Sequence, residues 1–155
     1  MPTRIWVIDD EAAIGNLFCE SLIGEGFAPE RIGGAEALRR LDVGRKLPSC
    51  IITDIKMPGV DGNAILRRIK ALGAIMPVVV VTAYRDSIAE DVRDVPSVML
   101  DKPMPSLSIL TDGVRTALNG SHVETVWWTS PKIGAAVLAI LTLLAGALAA
   151  WLKSR

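Results

Sequence analysis

Arg4-Ile5-Trp6-Val7-Ile8-Asp9-Asp10-Glu11 decides the reading of this chain: an apolar run of strand length stops on three consecutive acids, and a helical period, Ile14, Leu17, Phe18, Leu22, follows at once. The unit is strand, acid, helix. Working outward, the same alternation predicts a weak strand near 28–32, a helix at 35–41, a strand at 50–53 and a helix at 63–72. A strand at 78–82, a shorter helix near 88–92, a strand at 98–100 and a helix at 107–118 complete it. Five β/α units in series predict an α/β fold, a doubly wound five-stranded parallel sheet. Continuous apolar runs such as Val78-Val79-Val80-Val81 suit strands covered on both faces. Pro29 lacks an N–H and relegates the second strand to an edge. In such sheets reacting groups gather at the carboxyl ends of the strands.

The composition changes abruptly after this zone. Residues 119–131 are polar and turn-prone, and the stretch from Ile133 to Leu152 carries no charge, with Thr142 its only hydroxyl side chain. Those roughly twenty residues would span about 30 Å as a helix, the thickness of a bilayer core. Ser130 and Pro131 suit a helix start, Trp127, Trp128 and Trp151 suit the two interfaces, and Lys132, Lys153 and Arg155 can reach headgroups. The expected organisation is an α/β domain at 1–118, a linker at 119–131, one transmembrane helix at 132–152 and a tail at 153–155. Translocating three residues is far easier than translocating a folded domain, so the domain is expected to face the cytoplasm. Ala135, Ala139, Thr142, Gly146 and Ala150 form a small-residue stripe that either fills out the span or lets two copies pair as a homodimer.

Seventeen basic and seventeen acidic side chains cancel, which gives no support to a nucleic-acid surface. Cys19 and Cys50 lie in apolar contexts without CxxC spacing and read as small buried hydrophobes. Asp9, Asp10 and Glu11 stand where a secretory leader would need its apolar core, so no cleaved leader is expected. His122, the one histidine, falls in the linker and reads as an exposed linker residue.

Asp9 and Asp10 follow the first strand and Asp54 the third, and in a doubly wound sheet those strand ends are neighbours. Converging carboxylates repel unless a cation neutralises them, and an all-oxygen set suits Mg²⁺. Lys102 after the fifth strand adds a fixed positive charge and Thr82 at the end of the fourth a hydroxyl. A carboxylate flanked by two cations can attack a phosphoryl donor, because both offset the charge that spreads over the phosphoryl oxygens.

Val7-Ile8-Asp9-Asp10-Glu11, Thr53-Asp54-Ile55-Lys56-Met57-Pro58-Gly59-Val60-Asp61-Gly62, Val81-Thr82-Ala83 and Asp101-Lys102-Pro103 together resemble the receiver domain of two-component response regulators over about residues 3–118. The resemblance implies a flavodoxin-like receiver fold with Asp54 as phosphoacceptor. It implies Mg²⁺ on Asp10, Asp54 and the Lys56 backbone carbonyl, with Asp9 assisting through water. It further implies that Thr82 and Lys102 engage the phosphoryl group, that a cis peptide precedes Pro103, and that the donor is a histidine kinase or phosphotransfer protein. Two bulky residues, Lys56 and Tyr84, are expected to flank the phosphoryl group and hinder attacking water. Met99 stands where many receivers carry a switching aromatic, and the segment after Thr82 has few apolar anchors for a helix. The expected function is a membrane-anchored single-domain response regulator that signals through protein contacts and has no turnover beyond gain and loss of its own phosphoryl group. The alternative is a membrane scaffold with the same fold for which phosphorylation is irrelevant.

Overall fold

The computed structural model describes residues 2–44, 46–73 and 76–120. The elements are β1 (Arg4–Ile8), α1 (Ala12–Gly24), β2 (Ala28–Arg31), α2 (Gly34–Val43), β3 (Cys50–Thr53), α3 (Gly62–Ala71), β4 (Val78–Thr82), β5 (Val98–Asp101) and α4 (Ser108–Leu118). The strands form one parallel sheet in the order β2-β1-β3-β4-β5. β2, with Pro29, is an edge, as the missing N–H requires.

Alternation along each strand sorts side chains into two cores. Trp6 and Ile8 of β1 and Val78 and Val80 of β4 face α2 and α3, where Leu41, Ile65, Leu66 and Ile69 meet them. Ile5, Val7, Val79 and Val81 face the opposite way, against Phe18 and Leu22 of α1 and Leu110 and Val114 of α4. All of these side chains are almost wholly buried. Each large one removed from water contributes about 1.5–3 kcal/mol, so the two layers together hold the sheet. Cys50 belongs to the second core, and burial pushes its thiol up to about 12, which suits a packing role rather than redox chemistry.

The expected helix near 88–92 is absent. In its place are two 3₁₀ turns, Arg85–Ser87 and Glu90–Val92, with Ile88 extended between them. The reason lies in α3. The Asn63 side chain donates to the Ser87 carbonyl and accepts the Ala89 N–H, both at 2.9 Å, and so takes backbone groups that a helix through Ile88 would use. Only Ile88 and Val92 of this segment are buried, too narrow a stripe to hold a helix by packing.

α4 runs back against the strands and brings the chain to Gly120, which lies beside Pro77 and Ser97 at the amino ends of β4 and β5. The expected transmembrane helix at 132–152, with most of the linker, the tail, His122 and the small-residue stripe, lies outside the described residues. Among the described residues no helix is long and apolar enough to cross a membrane.

Candidate phosphoacceptor site

Strand register assembles the site. Ile8 of β1 pairs with Thr53 of β3, and the Asp54 N–H donates to the Ile8 carbonyl at 3.1 Å, so Asp9 and Asp54 leave adjacent strands side by side. Beyond β4, Thr82 pairs with Asp101, and the Lys102 N–H donates to the Thr82 carbonyl at 3.1 Å. From there the Lys102 ammonium reaches both carboxylates. Its Nζ donates to Asp9 Oδ2 at 2.7 Å and to Asp54 Oδ2 at 2.8 Å. The Asp9 and Asp54 side chains are only 3% and 11% exposed.

The remaining carboxylate oxygens are held by backbone. Asp54 Oδ1 accepts the N–H groups of Ile55 and Lys56, and Asp9 Oδ1 accepts that of Glu11 at 2.9 Å. Burial alone would pull the pKa of the Lys102 ammonium down. The hydrogen bonds to Asp54 and Asp9 outweigh it and leave the group above its ordinary value, charged at any physiological pH. Replacement by alanine would leave two buried carboxylates facing each other without their shared partner. Lys102→Ala is therefore expected to cost about 2–3 kcal/mol in urea unfolding, with part of the loss recovered on adding Mg²⁺.

Asp10 is exposed next to Asp9, and among the described residues no three acidic, cysteine or histidine side chains stand together as a preformed metal cluster. The expected convergence is thus a pair of carboxylates under one ammonium, with the third acid beside it. The donor set still fits a hard divalent cation. Asp9, Asp10, Asp54 and the Lys56 carbonyl supply only oxygen, and three carboxylates against one ammonium leave an excess of two negative charges.

Loops close the site from below. Gly62 lies so near the turn after β3 that a Cβ there would meet the Asp54 carbonyl oxygen at 2.1 Å and Ile55 Cα at 2.8 Å. Gly59, at φ +82°, turns the chain in a conformation that side chains disfavour. Asp61 caps α3 by accepting the Asn63 N–H at 2.9 Å. The Lys102–Pro103 peptide is cis. Thr82 is fully buried, and its Oγ1 accepts the Tyr84 N–H at 3.1 Å. Tyr84 and Lys56 are exposed, and Met99 is half-buried against the α2–α3 core.

Two residues escaped the sequence reading. Arg85 Nε donates to Asp101 Oδ1, and its Nη2 donates to the Met99 carbonyl at 3.2 Å, tying the loop after Thr82 to β5. Asn63 ties the same loop to α3. An amide in the first turn of an otherwise apolar helix face was the available signal. Beside Lys102 a groove of about 480 Å³ opens between α1 and the segment after β5, lined by Ile14, Leu17, Phe18, Met104, Pro105 and Leu107.

The chain resembles known proteins over this same framework. It is 37% identical over 83 residues to the DNA-binding transcriptional regulator NtrC of Escherichia coli (strain K12), which covers 53% of this chain and 17% of NtrC. It is 37% identical over 93 residues to the response regulator MprA of Mycobacterium sp. (strain KMS), 59% of this chain and 39% of MprA. The chain thus spans well under half the length of these curated relatives. Among solved structures, a CheY-like response regulator receiver domain protein from Methanospirillum hungatei JF-1 superposes with a TM-score of 0.68 at 22% identity. That alignment covers 78% of this chain and 97% of the other, and it shows a shared fold. The model of the response regulator receiver domain family matches residues 5–111. Because that match runs from β1 into α4 and takes in every residue around Lys102, the chain belongs to the response regulator receiver domain family.

Proposed function

We propose that the chain is a membrane-anchored response regulator that accepts a phosphoryl group on Asp54 from a histidine kinase or phosphotransfer protein and signals through protein contacts. One observation carries the chemistry: a buried carboxylate whose two oxygens are oriented by two backbone N–H groups and by the Lys102 ammonium. A carboxylate oxygen so fixed attacks the phosphorus, the bond to the donor's leaving group breaks, and the product is an aspartyl phosphate. Lys102 stays beside the oxygens on which charge accumulates, and the Thr82 hydroxyl donates a hydrogen bond to one of them. Mg²⁺ held by Asp10, Asp54 and the Lys56 carbonyl, with Asp9 through water, would offset charge on the same oxygens. Lys56 and Tyr84, exposed at the rim, would hinder the water that reverses the reaction. No separate acid–base pair is assigned to the pocket, so gain and loss of its own phosphoryl group is the only turnover proposed.

The apolar groove beside Lys102 suits a partner helix, which would bring a phosphohistidine to the mouth of the site. DNA binding is named for NtrC, of which this chain matches a small part, and the balanced charge here favours protein contacts as output. The absence of the helix expected between β4 and β5 lends some support to a phosphorylation-independent scaffold. Incubating the chain with acetyl phosphate, with and without Mg²⁺, and weighing it intact separates the two: uptake of one phosphoryl group supports the regulator and no uptake the scaffold.

The uncharged stretch within residues 132–152 supports the anchor, with the receiver on the cytoplasmic side. The full chain is expected in the membrane fraction after an alkaline carbonate wash, and a chain ending at Gly120 in the supernatant. Full-length protein released by the wash would overturn the anchor.

A further inference from the structure

Asn63 is 5% exposed, and every polar atom of its side chain is used. Nδ2 donates to the Ser87 carbonyl at 2.9 Å and to Asp61 Oδ1 at 3.1 Å, and Oδ1 accepts the Ala89 N–H at 2.9 Å. Two acceptors at one end and a donor at the other fix which way the amide points. It sits one residue after Gly62, which packs on the Asp54 carbonyl. Its partners lie in the loop that begins at Thr82, whose hydroxyl holds the Tyr84 N–H. Asn63 therefore joins the turn around the phosphoacceptor to the loop around Thr82. The other ties from α3 to this segment, Arg67 to the Asp91 carboxylate and Lys70 to the Asp94 carboxylate and the Asp91 carbonyl, are exposed and screened by solvent.

We propose that Asn63 is a positioning residue that restrains phosphoryl acceptance: by clamping Ser87 and Ala89 to the start of α3 it fixes the loop after Thr82 and holds the unphosphorylated arrangement. The proposal rests on the receiver reading given above. It follows from the absence of a helix in this segment, where one buried amide supplies order that backbone hydrogen bonds would otherwise supply. If a phosphoryl group on Asp54 draws the Thr82 hydroxyl toward itself, the Tyr84 N–H loses its acceptor and the loop shifts against the clamp. Clamp and phosphoryl group then oppose each other, and linkage makes the opposition mutual. Loosening the clamp populates the shifted loop before phosphorylation, and uptake through that arrangement then speeds up in proportion to its population.

The test compares the full chain in mild detergent as wild type, Asn63→Leu and Arg67→Ala, the last removing an exposed tie while sparing the clamp. Two quantities are read: the initial rate of phosphoryl uptake from acetyl phosphate with Mg²⁺, and amide hydrogen exchange before phosphorylation. Asn63→Leu is expected to take up the group about 3–10 times faster and to exchange about tenfold faster at residues 84–92, with β1, β3 and β4 unchanged. Arg67→Ala should stay within about twofold of wild type on both. A merely structural role would weaken protection throughout and slow uptake. An Asn63→Leu uptake rate equal to or below that of a wild type that does take up the group overturns the clamp and leaves the receiver reading intact. A wild type that takes up nothing overturns both. Should the leucine variant not fold, Asn63→Asp, which keeps an acceptor for Ala89 but loses both donations, is read in the same way.

Discussion

Alanine at position 54 is expected to reduce Mg²⁺-dependent phosphoryl uptake from one group per chain to none, as read by intact mass. Two carboxylates touch the Lys102 ammonium, and their surroundings differ. Asp9 is the more deeply buried, its second oxygen taken by the Glu11 N–H, whereas Asp54 is more open and its second oxygen faces two N–H groups of the following turn. Residual uptake in Asp54→Ala would point to Asp9 and overturn the assignment. The variant should still fold. Removing one of two carboxylates that share one ammonium relieves repulsion between them, which offsets the lost hydrogen bonds to within about 1 kcal/mol. Loss of uptake with an unchanged urea midpoint is therefore the expected pair of results.

Gly62→Ala is expected to destabilise the domain by about 4 kcal/mol or more, the largest effect of any single methyl here. The added Cβ would lie 2.1 Å from a backbone oxygen and 2.8 Å from a backbone Cα, and neither can move like the end of a flexible side chain. The turn after β3 or the start of α3 must give way, and with it the Gly62 N–H bond to the Ile55 carbonyl at 2.9 Å. The displaced carbonyl is that of Asp54, so uptake should fall together with stability. Gly24→Ala, where a Cβ meets nothing within 4 Å, is the control and should leave the urea midpoint unchanged or slightly raised. A Gly62→Ala variant as stable as wild type would show that the turn can relax and would remove the argument.

Particular residues show why some of this was legible in the sequence. Val78 to Val81 and Ile5 to Ile8 announce buried parallel strands because both faces of each are apolar, and each run stops at the residue that enters the site. Pro29 marked its edge strand by what its nitrogen cannot donate. Asp54 and Lys102 could be placed together because parallel register carries the ends of β3 and β5 to the same rim of the sheet. The segment from Ala83 to Ser97 was harder to read. Ile88 and Val92 have helical spacing, and nothing local shows that an amide 24 residues earlier will take the Ser87 carbonyl. Side-chain to backbone bonds across such a separation leave no periodicity. The bridging of Asp9 and Asp54 by one lysine was hidden for a related reason: the sequence places three acids near one another but does not say which of them a single ammonium will reach.

α4 delivers the chain to Gly120 at the amino ends of β4 and β5, while Asp54 and Lys102 stand at the carboxyl ends. With the proposed anchor in place, the phosphoacceptor would stand at the end of the domain opposite the point where its leash is attached. A donor embedded in the same membrane would then meet it by diffusion in two dimensions, at an effective concentration set by the reach of about a dozen linker residues rather than by the cell's volume. Lengthening that leash would dilute the encounter without touching the site.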